Sequence, residues 1–346
     1  MDRTGNIMPP NLGVFAENGV SGAAHGARLR KVLLKKSGFL DASLISVSRA
    51  GLGSTLLALV KLVFKYRYPP SLISARFLSS ATEARHLKID TLYMDTLHLS
   101  FMVDHMDASR CIVSLHNYDP EYFLELGRHE NAFFKKCAYI YESLMSKLIL
   151  NKIAKSPSTE LWTLTSKDRD SVSVFLGKSV NLKVVPHLLP VFGTKQSLNI
   201  TQSIQPCFDL IFIGAGSHQP NRDALDFILK ILNYDDRFRA HILGPSWQDQ
   251  PYPRVKYYGF IENLDSFLSE KFIFVCPVFS GSGINMKIFS AIEFGLPGVL
   301  SRFTHEPFKV YGEGFPDEKY DVVDGKDPES WARAIVKRSE LLSRGK

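Results

Sequence analysis

The strongest chemical signal in the sequence is a glycine-rich turn that leads into a helical pattern. Residues 274–301 (FVCPVFSGSGINMKIFSAIEFGLPGVLS) read as a strand, a loop, a helix and a second strand. Gly281, Ser282 and Gly283 let the backbone approach a bound group, and free N–H groups of the following helix point to the same place. Lys287 adds a positive charge in the first turn. The pattern predicts a phosphate-binding site, although such turns also join strands to helices without a ligand.

A second glycine pair lies earlier, in residues 209–232 (DLIFIGAGSHQPNRDALDFILKIL). Gly214 and Gly216 follow an apolar run typical of a buried strand, and a helical pattern begins a few residues later. Arg222 falls in the first turn of that predicted helix. Taken by itself, this arginine fits an ordinary first-turn residue that faces solvent.

The elements that carry these residues alternate along the chain. In the first half, β-prone runs are separated by helix-like stretches, at Ala42–Val47, Thr91–Met94, Cys111–Leu115 and Leu161–Thr165. The alternation restarts at Asp209 with DLIFIG and continues through AHILG, VKYYG, FIFVCP and GVLS. Two such series predict an α/β protein with two parallel sheets. An earlier run, Leu12–Ala16, is either a short first strand or part of a loop.

Length and local composition place the domain boundary. At 346 residues the chain exceeds one typical domain. Residues 184–207 are polar, contain prolines and lack a hydrophobic period, as linkers do. We therefore predict an N-terminal domain over residues 1–190, a linker over 191–204 and a C-terminal domain over 205–346.

Composition and charge limit the class of protein and partner. No apolar run is long enough to span a bilayer and no signal sequence is evident, so we expect a cytoplasmic protein. The net charge of +7 favours phosphate-bearing partners, which are nucleic acid, anionic lipid or a nucleotide-linked substrate. Nucleic acid is disfavoured because no zinc-finger spacing or RNA-binding motif is present.

Two basic, apolar stretches in the first half are ambiguous. Residues 52–68 (LGSTLLALVKLVFKYRY) combine an apolar face with Lys61, Lys65 and Arg67, and residues 131–155 have the same character. Each stretch fits a helix that lies on a membrane surface and equally fits an ordinary domain helix with a basic end.

The glycine segments resemble those of a known family. The stretch 274–301 resembles the nucleotide-sugar site of glycosyltransferase family 4, in which a P…G-x-G-(I/V)…K-x-x-E-A-x-x-x-G-x-P-V-V pattern is usual. Residues 209–232 and 255–268 (VKYYGFIENLDSFL) resemble two further segments of the same C-terminal domain. With weaker matches such as VSLHNYDPEYF, the resemblance extends over most of the chain from about Cys111 to Arg338. It implies a GT-B fold, in which two Rossmann-like domains face each other across a cleft.

The resemblance also implies roles for individual residues. It places the donor against backbone turns and a helix start, at Gly214, Gly216, Gly259, Phe260, Ile261, Gly281, Ser282, Gly283, Ile284 and Asn285. Arg222 and Lys287 would stabilise the negative charge that develops on the departing nucleoside diphosphate. His116 would contact the donor sugar; alternatively, it is a structural hydrogen-bonding residue at the end of its strand.

Two positions depart from the family pattern. Ser290 stands where a glutamate normally accepts hydrogen bonds from the ribose diol, and Ser282 stands at the position of the family's other glutamate. Glu293 lies one turn after Ser290 and either takes over the ribose contact or is an exposed helix glutamate. Both Ser290 and Glu293 are therefore candidate donor-binding residues.

The activity implied by the resemblance is a retaining, metal-independent transfer of a hexosyl group from a nucleoside-diphosphate sugar to a hydroxyl acceptor. We find no Asp-x-Asp that would hold Mg²⁺ or Mn²⁺ against the diphosphate, and no cofactor is expected beyond the donor itself. The scattered cysteines read as buried or idle thiols, at Cys111, Cys137, Cys207 and Cys276. The basic stretches suit a lipid-linked acceptor at the inner membrane face, in cell-surface polysaccharide or glycoconjugate synthesis.

Other functions are compatible with parts of the pattern. A nucleotide-sugar epimerase of the same fold and a non-catalytic partner protein stay open. A Rossmann dehydrogenase is disfavoured because neither glycine cluster has the full G-x-G-x-x-G spacing. An N-terminal loop with Gly19, Gly22, Gly26 and His25 either approaches donor and acceptor or is an ordinary loop.

Overall fold

The protein folds as two parallel sheets with flanking helices. The computed structural model describes residues 11–17, 29–35, 43–48, 52–78, 89–104, 106–177, 180–187, 189, 208–247, 252–261, 264–267, 272–281 and 283–344. These residues form two six-stranded sheets, which is an α/β architecture. The chain divides into two compact units, Met1–Leu188 with Ser282–Ile284, and Leu189–Gly281 with Asn285–Lys346. The predicted linker, residues 191–204, lies outside the described residues.

The first unit contains a sheet of strand order β2-β1-β3-β4-β5-β6. Its strands are β1 (Leu12–Glu17), β2 (Ser43–Ser48), β3 (Ile89–Met94), β4 (Ala108–Leu115), β5 (Thr159–Thr163) and β6 (Leu182–Val184). Its helices are α1 (residues 29–35), α2 (Leu52–Phe64), α3 (Leu72–Leu78), α4 (Asp119–His129), α5 (Phe133–Ile153) and α6 (Ser166–Leu176), with a 3₁₀ helix at Leu97–Met102. The strand order reverses between β1 and β3. In parallel sheets ligands bind beyond the carboxyl ends of strands at such a reversal.

The two faces of this sheet carry separate apolar layers, as the period of two along a strand requires. On one face Leu92 and Met94 pack with residues of α2, α3, α5 and α6. On the other face Tyr93 packs with Phe15 and with Leu34 of α1. Helices α2, α3, α5 and α6 therefore share one core on one side of the sheet.

The second unit contains a sheet of strand order β12-β11-β10-β7-β8-β9. Its strands are β7 (Phe208–Ile213), β8 (Phe238–Leu243), β9 (Val255–Tyr257), β10 (Phe272–Cys276), β11 (Gly298–Ser301) and β12 (Tyr320–Val323). Its helices are α7 (Gln219–Tyr234), α8 (Leu264–Phe267), α9 (Met286–Glu293), α10 (Arg302–His305) and α11 (Pro328–Arg344), with 3₁₀ helices at Glu306–Gly314 and Asp317–Lys319. Here the order reverses between β7 and β10, and each of these strands is followed by one of the predicted glycine loops.

Most predicted strands are present, with shifted ends. The run Leu12–Ala16 is a strand that pairs with both β2 and β3, which settles the alternative left open above. Strand β6 was not predicted: it pairs with β5 up to Val184, the first residue of the segment 184–207 that has a linker-like composition. The strand has only three residues, which is too short for an apolar pattern to be recognised in the sequence. The last strand, β12, was not predicted either.

Two further expectations concern the cysteines and the membrane-spanning potential of the helices. Cys111 and Cys276 are buried thiols, but Cys137 is exposed on α5. None of the described helices combines the length and the apolar character that crossing a bilayer requires.

Candidate functional site

The loop after β7 forms the centre of a polar cluster in the second unit. A Cβ on Gly216 would overlap the carbonyl of Ser246, and Gly244 has a φ of +130°, a conformation that side chains strongly disfavour. Trp247 closes the loop from one side, since its indole Nε1 donates to the carbonyl oxygen of Gly214 at 2.8 Å. Glycine is therefore required here by close backbone packing.

Asn221 joins this loop to the start of α9. Its Nδ2 donates to the carbonyl oxygen of Ala215 at 2.9 Å, and its Oδ1 accepts from Lys287 Nζ at 3.0 Å. Lys287 Nζ also donates to Asn285 Oδ1 at 3.2 Å. The two glycine segments predicted separately are thus brought together around one lysine ammonium.

The start of α9 presents backbone donors beside that ammonium. Asn285 is the N-cap residue, but its side chain makes no capping hydrogen bond and instead accepts from Lys287. The first amides of a helix have no partner within the helix and carry its positive dipole end. An anion at this point would meet both the amides and a cation.

Two cationic side chains, Lys287 and Arg222, raise the local electrostatic potential. Arg222 lies at the start of α7 and donates from Nη1 to the carbonyl oxygen of Gly216 at 2.8 Å. Burial lowers the pKa of Lys287. Burial also lowers the pKa of His218, and the positive charges of Lys287 and Arg222 lower it further. A bound anion would offset these charges, so the cluster is suited to phosphate.

The predicted base and ribose contacts lie on neighbouring elements of the second unit. Gly259 has a φ of +63° and its carbonyl oxygen accepts from Gly244 N at 2.7 Å, which ties its turn to the loop after β8. Phe260 is half exposed beside it. Ser290 and Glu293 are both partly exposed and lie one turn apart on α9. Their roles stay predictions, and Ser282 lies outside the described residues.

A second polar cluster occupies the carboxyl ends of β3 and β4 in the first unit. Asp95 follows β3 and is 1% exposed, and it forms an ion pair with Arg30 of α1, whose Nη2 donates to Asp95 Oδ2 at 3.0 Å. Arg30 Nη1 also lies 3.2 Å from His187 Nε2. His116 follows β4, and its Nε2 lies 3.6 Å from Asp95 Oδ1.

This environment fixes the charge states of the cluster. Burial opposes ionisation of Asp95, but Arg30 and His116 outweigh it and hold the pKa of Asp95 below its ordinary value. Burial and then Arg30 lower the pKa of His116. His116 is therefore a neutral imidazole at pH 7, able to donate or accept a hydrogen bond with a neutral group such as a hydroxyl.

The Asp-x-Asp of the chain, residues 168–170, has a structural role. Asp168 Oδ1 accepts from Tyr118 N at 3.0 Å, and Asp168 N donates to Thr165 Oγ1 at 3.0 Å, which caps α6. Asp170 forms an ion pair with Arg169. Within the described ranges, no three His, Cys, Asp or Glu side chains are grouped so as to hold a metal ion.

Comparison with known proteins decides the class. Residues 207–340 match the family model described as "Glycosyl transferases group 1". The structure of Anabaena HepE in complex with UDP and glucose matches with a TM-score of 0.58 at 12% identity, over 96% of this chain and 91% of HepE. The chain is a GT-B glycosyltransferase that resembles the group 1 family.

Other solved structures agree with this fold. WaaG, a glycosyltransferase involved in lipopolysaccharide biosynthesis, matches with a TM-score of 0.55 at 11% identity, over 96% of this chain and 91% of WaaG. A glycosyltransferase from Rickettsia africae matches with a TM-score of 0.56 at 9% identity, over 96% and 89% of the two chains. No curated protein sequence matches the chain.

Sequence reasoning missed part of the polar clusters of this glycosyltransferase. Asn221, His218, Arg30, Asp95 and His187 were not predicted as site residues. Asp95 carries a usable signal, because it is a charged residue directly after a predicted strand. The others lie in helices or irregular segments without a distinguishing pattern.

Proposed function

We propose that the glycosyltransferase transfers a hexosyl group, with retention, from a nucleoside-diphosphate sugar to a hydroxyl acceptor. The observation that carries this proposal is the Lys287 ammonium, held by Asn221 between the Gly214–Gly216 loop and the start of α9. A diphosphate fits this position because amides, a helix dipole and two cations converge there.

The leaving group explains why cations are needed. In the transfer the bond between the anomeric carbon and the phosphate oxygen breaks, and its electron pair leaves with the diphosphate. Lys287 and Arg222 stabilise that developing charge. The acceptor oxygen forms the new bond on the same face and its proton passes to the departing phosphate, so no carboxylate nucleophile and no metal ion enters the proposed step.

The cluster around His116 offers a hydrogen-bonding group for the hydroxyls of the donor sugar. We infer that His116, kept neutral by burial and by Arg30, exchanges a hydrogen bond with a hydroxyl of the donor hexose. Asp95 and Arg30 would hold the imidazole in place. Gly259, Phe260 and Ile261 would contact the base, and Ser290 or Glu293 the ribose.

The acceptor is proposed to be lipid-linked, at the cytoplasmic face of a membrane, in the synthesis of a cell-surface polysaccharide or glycoconjugate. The basic residues of α2 and α5 support this assignment, as does the fold shared with WaaG.

The first experiment measures thermal unfolding with UDP, GDP, dTDP, CMP, ADP and NAD. UDP leads the series because HepE, which has the same fold, was crystallised with it. Ligand at about 100 times its dissociation constant stabilises a protein by about 2.7 kcal/mol. Stabilisation by one nucleoside diphosphate and not by NAD supports the donor site, and no stabilisation by any of them contradicts it. Incubation of donor without acceptor then tests for epimerase activity.

A further inference from the structure

The outer face of α5 carries large apolar side chains in water. Phe133 is 71% and Phe134 86% exposed, and Ile140, Leu144 and Leu148 are also exposed. Phe133, Cys137, Ile140, Leu144 and Leu148 follow one another at intervals of three or four residues, so they line a single side of the helix. The opposite side, with Ile149 and Ile153, is buried in the core of the first unit.

Helix α2, which packs into the same core, has the same organisation. Leu56, Leu57, Val60, Val63 and Phe64 are exposed, with Phe64 at 80%, whereas Ala58 and Leu62 are buried in the same core as α5. The two helices are also linked through the segment that follows α2. Tyr141 of α5 donates from its hydroxyl to the carbonyl oxygen of Pro70 at 2.6 Å. The outer sides of α2 and α5 therefore belong to one face of one unit, which we call the docking face.

The exposed charges on α2 and α5 have one sign. Exposed basic side chains lie on these helices or within three residues of their ends, at Lys61, Lys65, Arg67, Lys135, Lys136 and Lys155. Among the described residues of α2 and α5 the single acidic side chain is Glu142, which is buried and accepts hydrogen bonds from Ser71 and Leu72. A positive field with interspersed apolar groups favours a partner that is both anionic and apolar.

We propose that the docking face binds an anionic lipid bilayer, with Phe133 and Phe134 inserted at the boundary between headgroups and acyl chains. A second copy of the chain fits less well, because its own docking face would bring another set of lysines against the first. In a bilayer the lysine stems lie along the apolar layer while their ammonium groups reach lipid phosphates. The proposal extends the proposed function. It rests on that function only where it connects membrane binding with a lipid-linked acceptor.

The test measures co-sedimentation of the full chain with vesicles. Vesicles of equimolar phosphatidylcholine and phosphatidylglycerol are compared with vesicles of phosphatidylcholine alone. We expect binding to the anionic vesicles, weakened at least tenfold in the double variant Phe133→Ser/Phe134→Ser, since burial of one such ring contributes about ten- to a hundredfold. Replacing Lys135 and Lys136 by glutamine should weaken binding about fivefold per charge, and added salt should weaken it further.

A matched control comes from the same unit. Val174 of α6 is 87% exposed but lies outside the docking face, so Val174→Ser should bind vesicles like the wild type. Equal binding of wild type and the double phenylalanine variant overturns the proposal, as does equal binding to both kinds of vesicle. A dimer in sedimentation velocity that the phenylalanine variant dissociates assigns the face to a second copy instead. Nucleotide-induced stabilisation should be unchanged in the phenylalanine variant, which keeps this test separate from that of the donor site.

A second readout uses the exposed thiol within the face. An environment-sensitive dye on Cys137, in a Cys207→Ser background, should shift its emission to the blue with the anionic vesicles, because Cys111 and Cys276 are buried. Unchanged emission in the presence of vesicles contradicts insertion of α5.

Discussion

Lys287 Nζ lies 3.0 Å from Asn221 Oδ1, and Asn221 Nδ2 lies 2.9 Å from the carbonyl oxygen of Ala215. One amide thus uses its acceptor to hold an ammonium and its donor to hold the glycine loop. The consequence is that the position of the cation and the shape of the loop depend on each other. Predictions about donor binding follow from this pair.

Replacing Lys287 by methionine should remove the charge while keeping most of the side-chain volume. A hydrogen bond to a charged group is worth about 2 kcal/mol, or about 30-fold in affinity. We expect that loss in nucleoside-diphosphate affinity, measured by calorimetry. The matched control is Lys309→Met, since Lys309 is exposed and paired with Glu306. Equal affinity in the wild type and Lys287→Met would remove Lys287 from the donor site.

A methyl group on Gly216 should destabilise the second unit, because its Cβ would overlap the Ser246 carbonyl and the Trp247 ring. Overpacking of this kind costs about 1 to 3 kcal/mol. Urea unfolding of Gly216→Ala measures the loss. Gly314→Ala is the control, as a Cβ there meets no atom within 4 Å. Similar stability of the two variants would show that the loop relaxes freely.

Arg30 and Asp95 should show strong coupling. Removing one member of a buried ion pair costs about 3 to 5 kcal/mol, because the remaining charge is buried without its partner. We expect Arg30→Met alone to lose stability on that scale, and Arg30→Met/Asp95→Asn to lose less than the sum of the single variants. A double-mutant cycle in urea measures the coupling. Additive losses of stability in the double variant would contradict energetic coupling between Arg30 and Asp95.

The stability of the first unit should depend on pH through Asp119. Burial, with Asp168 and Glu142 nearby, raises the pKa of Asp119 from 3.8 to about 7. The folded state therefore holds this proton over a pH range where the unfolded state has lost it. This proton contributes most to the free energy of unfolding below about pH 4. The contribution declines as pH rises from about 4 to 7 and is lost above pH 7.

The variant Asp119→Asn removes that titration. The variant should become more stable than the wild type as pH rises, and the difference in free energy of unfolding should reach on the order of 3 kcal/mol by pH 8. Urea unfolding at pH 5 and pH 8 measures the difference. Glu313→Gln, at an exposed carboxylate, serves as control. If the free energies of unfolding of wild type and variant differ by the same amount at both pH values, the raised pKa of Asp119 is contradicted.

Transfer activity should persist in EDTA, because the proposed step relies on Lys287, Arg222 and the α9 amides for the diphosphate charge. The measurement compares initial rates in EDTA with rates in added Mg²⁺ or Mn²⁺. A rate that EDTA abolishes and Mn²⁺ restores would contradict the metal-independent proposal.

The sequence by itself determined the fold class and the two glycine loops. Continuous apolar runs, turn glycines and helix starts are local signals, which is why β7, β10 and the Gly281 turn could be predicted from neighbouring residues. Lys287 could be predicted from its place in the first turn after the glycine loop, and family resemblance added Arg222 as a candidate for the donor site. Short β6 was missed because three residues carry too little pattern to stand out from a linker.

Only the tertiary structure decided which distant residues meet. Arg30 lies 65 positions from Asp95 and 157 from His187, and their contacts depend on where β1, β3 and β6 join the sheet. Likewise, the spacing of apolar residues along α5 fits a buried and an exposed side equally well. Packing against the sheet selects the side with Ile149 and Ile153 for the core and leaves Phe133 and Phe134 in water, since a helix can bury only one side against a sheet.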